Sequence, residues 1–182
     1  MLAGLRQAYD PLVITSVDAF LRYFAGVSRR AVRDIGGLPA EAEGWRPPTS
    51  DSSERGWTIA QLVAHMAASR LFFVAAYRGE GWHAEPWSKP CDTREQWVAA
   101  LNESAQLMAE RLSGTPDEWL TRRLPGIDSA EQLLSGWRIL MMGTEHDVHH
   151  RSQIDTYAGI AGWEVQQIFG RRAEDVGLSP AT

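Results

Sequence analysis

Cysteine is almost missing from this sequence, with one residue, Cys91, in 182. That scarcity excludes an internal disulfide framework and any zinc module built from several thiolates. Lysine is equally rare: Lys89 stands alone beside 17 arginines, and 18 basic side chains face 23 acidic ones for a net charge of −5. An acidic balance argues against a nucleic-acid partner held by bulk electrostatics. The arginine doublets Arg29-Arg30, Arg122-Arg123 and Arg171-Arg172 are scattered and offset by acids, and a genome with biased codon usage explains them as well as function does. No run of about 18 uncharged apolar residues is present to span a bilayer. The first ten residues lack the basic start, apolar stretch and small-residue cleavage site of a secretory signal. These absences predict a cytoplasmic protein with no membrane partner. What the chain does have is 44% hydrophobic residues, enough at this length for one stable core. A single domain over residues 1–182 is expected, with its core at about 12–170 and a tail at 171–182.

Four stretches carry helical periodicity, and none shows convincing strand alternation. The first runs from about Thr15 to Ile35, with Val17, Phe20, Leu21, Phe24, Val27, Ala31 and Ile35 three and four apart. Gly36-Gly37 and Pro39 end it, and a polar connection follows from Pro47 to Ser53. The second opens at Thr58, whose spacing to Gln61 is that of a capping box, and it stops near Gly79. Its apolar face includes Leu62, Met66, Phe72 and Phe73. The third opens at Asp92 or Thr93, with Thr93 and Gln96 as a second capping box. It carries Trp97, Leu101, Met108 and Leu112 before Gly114-Thr115-Pro116 breaks it. The fourth is expected from about Ser129 to Ala161, closed by Gly162, with Leu133, Trp137, Leu140 and Ile154 as apolar positions. From Trp163 onward a short helical turn and a tail are expected. Four amphipathic helices make an all-α four-helix bundle the natural architecture.

The chain has five histidines, and three of them, His146, His149 and His150, fall within five residues on the fourth helix. Residues four apart on a helix stack on one face, so His146 and His150 can converge on one ion. His149 is rotated by about 100° from His150 and points elsewhere, although a pairing of His146 with His149 at spacing three stays open. The face of the 146/150 pair continues through Gln153, Ile154 and Tyr157, whereas that of His149 passes Glu145, Ser152 and Thr156 and is more solvated. The third candidate ligand is His65, which lies in the apolar stripe of the second helix. An imidazole there needs a hydrogen-bond partner or a metal, since an unpaired buried polar group costs about 1–3 kcal/mol. The His-Glu-x-x-His pattern of zinc proteases is absent, as are the paired Glu-x-x-His motifs of di-iron bundles. One mononuclear three-histidine site survives.

The string His146-Asp147-Val148-His149-His150-Arg151-Ser152-Gln153-Ile154, followed by Thr156-Tyr157 and Ala161-Gly162, resembles the His-x-x-x-His-Arg-x-Gln helix of the DinB/YfiT family of metal-dependent four-helix bundles. Trp57 to Met66 is similar to that family's second helix with its lone histidine. Trp45-Arg46-Pro47 and Ile168-Phe169-Gly170 resemble its flanking phrases. The resemblance covers nearly the whole chain. It implies an up-down-down-up bundle, a homodimer, and His65, His146 and His150 as ligands of a divalent ion, nickel or zinc. Some relatives so implied are thiol S-transferases or isomerases that use bacillithiol, mycothiol or glutathione.

Three neutral imidazoles leave an ion's double charge uncompensated and a coordination position open. Such a centre activates a bound water or thiol at neutral pH, so a metal-dependent transferase or hydrolase acting on a small molecule is the first expectation. The second is a non-catalytic dimeric binding or stress protein with a structural metal. Ser69, one turn beyond His65, is a candidate for lining the substrate pocket or for allowing close helix packing. Arg151 is a candidate to bind an anionic substrate, but a surface place beside Asp147 or Asp155 is the first expectation for it. Trp82, His83 and Trp87, in the loop after the second helix, are candidates to cover the opening. Cys91 is set aside as fourth ligand or nucleophile.

Overall fold

Three of the four long helices begin where a side-chain oxygen meets otherwise unpaired N–H groups. In the computed structural model, which describes residues 14–48, 56–171 and 174–177, Ser16 caps α1 (Val17–Gly36). Thr58 and Thr93 form complete capping boxes with Gln61 and Gln96 at the starts of α2 (Ile59–Arg78) and α3 (Arg94–Leu112). The fourth helix, α4, spans Gly136–Ala161. Gly79 and Gly162 end α2 and α4 in the left-handed conformation, at φ 80° and 75°, where a side chain would be strained.

The expected start of α4 at Ser129 is corrected. A small antiparallel hairpin precedes the helix, β1 (Arg123–Pro125) pairing with β2 (Leu133–Ser135). Its turn is closed by the Gly126 N–H donating to the Gln132 carbonyl and the Gln132 N–H to that of Ser129, so these residues cannot also supply a helical ladder. Leu133 thus lies in a strand and is exposed, and Trp137 is exposed on α4. Helix α4 begins at a glycine for a steric reason: a Cβ at Gly136 would sit 2.1 Å from the Trp119 carbonyl oxygen. The polar connection expected to reach Ser53 lies outside the described residues from position 49 onward. Near the C-terminus a 3₁₀ turn covers Glu174–Val176.

Contacts along the helices give their directions. Gly136 of α4 meets Tyr77 of α2, Asp147 bonds to Arg70, and His146 lies beside His65, so α2 and α4 are antiparallel. Arg70 and Arg78 of α2 reach Leu101 and Arg111 of α3, which makes that pair parallel. Gly36 abuts Val98 near the start of α3, and the N–H of Val17 donates to Asp117 beyond its end, so α1 and α3 are antiparallel. The bundle is therefore up-down-down-up. Helix α1 packs against α3 and α4, and α2 packs against the same two, which places α1 across the diagonal from α2. The long connections after α1 and α3 span those diagonals.

The core divides into two apolar blocks. One gathers Ile35, Leu62, Met66, Trp97, Leu101 and Ile154; the other gathers Phe20, Phe73, Tyr77, Met108, Leu112 and Ile139. Helix α2 is long and apolar enough to cross a membrane by length and composition, but it is the core helix of the bundle, with most of that stretch buried.

Between the blocks lies Arg70, fully buried. Its guanidinium donates through Nε and one terminal nitrogen to both carboxylate oxygens of Asp147, at 3.0 and 2.8 Å. The other terminal nitrogen donates to the Leu101 carbonyl and to Ser104 Oγ. The same guanidinium lies 5.3 Å from the centre of the Phe24 ring. One side chain thus touches all four helices, and its donors have partners, which is the condition under which a buried charge is tolerated.

Candidate metal centre

One turn from that ion pair, three histidines converge. His146 Nε2 lies 3.0 Å from His65 Nε2 and 3.2 Å from His150 Nε2, and the three donor atoms all fall within 4.8 Å of one another. Helix α2 supplies His65 and α4 supplies the other two, so the α2–α4 register set by Arg70 and Asp147 also sets this meeting. His149 points away to solvent, as its rotation about the helix predicts, and its ring only borders that of His150 at 4.8 Å.

Proton counting tests whether a cation suits this cluster. His150 Nδ1 lies 3.0 Å from Gln153 Oε1, an acceptor, so Nδ1 carries the hydrogen and Nε2 of the neutral ring is a lone pair. That lone pair faces His146 Nε2. If His146 Nε2 holds a proton and donates to His150, it has no lone pair left for His65. If it instead accepts from His65, two lone pairs oppose each other across 3.2 Å. Neutral imidazoles cannot satisfy both contacts, whereas one cation satisfies all three. A zinc ion at about 2.0–2.1 Å from each nitrogen spaces adjacent ligands by roughly 3 Å, close to the two separations found here. The residues present fit such an ion.

The surroundings keep the rings neutral. Burial, followed by the adjacent His150, His65 and His149, lowers the pKa of His146 to about 4. Burial and then His150 lower that of His65. His150 is also lowered by burial, against the opposing pull of the Gln153 oxygen. All three therefore offer lone pairs at neutral pH rather than competing protons.

A second layer fixes the ring planes. The Gln153 amide that accepts from His150 donates through Nε2 to the Tyr157 hydroxyl at 3.0 Å. Trp57 stands edge-on to His65 at 4.8 Å and is stacked with His150 at 6.3 Å, while Phe73 lies against His146 at 5.7 Å. The spacing 150, 153, 157 on one helix face gave a signal for the Gln153–Tyr157 relay. The wall formed by Trp57 had no comparable signal.

The cluster opens onto a cavity of about 560 Å³, where His65 and His146 form part of the wall with Phe72, Phe73, Ala68 and Trp87. Ser69 lines the same cavity. Of the loop candidates, Trp87 reaches the cavity. Trp82 packs on Phe72 and Phe73 and donates to the Pro125 carbonyl. His83 lines a separate hollow on the outer side of the loop. Cys91 is buried in the first apolar block, outside the histidine cluster, and burial raises its thiol pKa. Arg151 is not the surface residue expected. It is buried 3.8 Å from both Asp34 and Asp155, because it lies on the side of α4 that faces α1 and because Asp147 is taken by Arg70.

The up-down-down-up bundle that carries these histidines has a counterpart among known proteins. The profile of the DinB family matches residues 13–177. The chain belongs to the DinB family. Its fold is also that of a DinB-like protein from Bacillus cereus ATCC 10987 known from a crystal structure. The two are 15% identical, with a TM-score of 0.67 over 84% of this chain and 97% of that one. Comparison with functionally curated proteins returns no match. At that identity the solved relative speaks for the fold, and the chemistry of this DinB-family chain rests on its own residues.

Proposed function

We propose that His65, His146 and His150 hold a divalent ion, zinc or nickel, in a transferase or hydrolase that directs a small thiol or water at an electrophilic substrate. The observation that carries this reading is the convergence of three imidazole nitrogens at the wall of a large apolar cavity. An ion bound there supplies Lewis acidity, lowering the pKa of a water or thiol that it holds toward neutrality. The chain's own contribution is orientation and exclusion of water. Gln153 fixes the His150 tautomer, and Tyr157 fixes the Gln153 amide. Phe73 and Trp57 limit the approach of solvent to the rings. Ser69 offers one hydroxyl to a molecule in the cavity and lies within the apolar wall where a substrate would sit. A purely structural metal is disfavoured because structural zinc is ordinarily closed by four protein ligands, and the cluster among the described residues has three.

Elemental analysis of untagged protein tests the site. Wild type is expected to carry one divalent ion per chain and His65→Ala essentially none; wild type without stoichiometric metal would overturn the proposal. Transfer assays with bacillithiol, mycothiol, glutathione and simple alkyl thiols, alongside hydrolysis assays, then separate catalysis from a structural role. Absence of turnover in metal-loaded protein, together with a saturated fourth coordination position by X-ray absorption, would favour the structural reading.

A further inference from the structure

The cavity beside the histidines has a mostly apolar wall with few polar groups. His65 and His146 are two of them. The body is Ala64, Ala68, Phe72, Phe73 and Ile127, with Ser69 as a lone hydroxyl. Among the described residues neither lysine nor arginine lines it, and the one charged side chain that does is Glu85, on the loop between α2 and α3. That carboxylate is also unusual in its company. Its neighbours across the loop are paired, Glu80 with Arg78 and Arg111, and Glu103 with Lys89. Glu85 has no ion-pair or hydrogen-bond partner among the described residues. It also lines the outer hollow, so the segment Ala84 to Trp87 is a single layer of chain between two spaces.

We infer that this cavity takes an amphipathic ligand with an uncharged apolar body and a neutral or cationic outer end, and that Glu85 selects against an anionic one. The assignment deepens the proposed function, since it takes the cavity beside the histidines to be the substrate pocket. The physical basis is direct. Apolar ligand surface gains roughly 25 cal/mol per Å² on leaving water, and the aromatic and alanine wall supplies the surface to cover it. An ammonium or hydroxyl reaching Glu85 finds an acceptor that no described residue occupies. A carboxylate there meets a like charge, with no lysine or arginine among the described residues of the wall to offset it. Cosubstrates with several carboxylates would have to leave those groups outside the cavity.

The test is a titration of the full-length chain, read by calorimetry, with two sets of probes. In metal-free protein the set is 4-phenylbutylamine, 4-phenylbutanol and 4-phenylbutyrate. In zinc-loaded protein it is 6-mercaptohexylamine, 6-mercaptohexanol and 6-mercaptohexanoate, whose thiol marks the metal end. In both sets the amine is expected to bind more tightly than the acid by about fivefold, the size of one partly solvated charge contact. Glu85→Gln should compress the ratio to within about twofold, and Glu85→Lys should reverse it. Glu85→Gln changes the net charge only from −5 to −4, so a preference set by the chain's overall negative charge would survive it. Equal or tighter binding of the acid in wild type would overturn the inference, as would a ratio that Glu85→Gln leaves unchanged. Failure of the metal reading looks different: the thiols would bind zinc-loaded and metal-free protein alike, while the ranking of the phenylbutyl probes persisted.

Discussion

Two polar centres lie one turn apart on the same pair of helices and have opposite characters. Arg70 and Asp147 are fully buried, oppositely charged and bonded, with the remaining Arg70 donors placed on Leu101 and Ser104. His65, His146 and His150 are of one kind, largely neutral, and aimed at each other beside a cavity. The first centre is complete within the protein, and the second leaves converging lone pairs that a cation would satisfy. Adjacent residues on α4, His146 and Asp147, therefore serve different ends. A buried polar group with all its partners in the chain argues for a structural role, and one whose lone pairs are left converging argues for a ligand.

This contrast can be broken from either side. The largest effect is expected from Arg70→Met, which leaves the Asp147 carboxylate buried and unpaired and should destabilise the fold by about 3–5 kcal/mol. Urea denaturation of metal-free protein measures it, and Arg70→Met with Asp147→Leu should recover much of the loss because no charge then remains buried. A single variant as stable as wild type would show that the pair does not order the core. Gln153→Ala should leave urea stability nearly intact without metal but weaken zinc binding about 10- to 100-fold, as read by competition with a chromophoric chelator. Unchanged affinity would remove Gln153 from the site. The smallest effect belongs to His149→Ala, expected to change stability by no more than about 0.5 kcal/mol and to leave metal stoichiometry at wild-type level. Loss of metal in that variant would mean that the pairing at spacing three, rather than four, forms the site.

Much of this architecture was legible in the sequence because it rests on local rules. Thr58 with Gln61 and Thr93 with Gln96 announced two helix starts, and the buried residues of α1 and α3 follow the expected spacing. The facing of His146 and His150, with His149 turned away, follows from helical geometry alone. What escaped depends on partners distant in the chain. Arg70 lies 77 residues from Asp147, so neither residue advertises the other. Arg151 reads as solvated until α1 brings Asp34 to it. The hairpin before α4 has strands of three residues, too short for alternation to register, while Ser129 to Leu133 passes for the start of a helix. The start of α4 is instead decided by the Trp119 carbonyl, whose approach only Gly136 permits.

The thin wall from Ala84 to Trp87 has a consequence for how such a protein can diversify. Helices α2 and α4 fix the histidines, and changes there disturb the core and the ion pair together. Part of the opposite wall of the cavity is loop, outside both apolar blocks apart from the contact of Trp87 with the first. Residues 84–86 can therefore be exchanged, or the loop lengthened, at little expense to folding. On the proposed function, chemistry and choice of substrate then lie in separate parts of the chain, and the loop can change while the histidine cluster stays as it is.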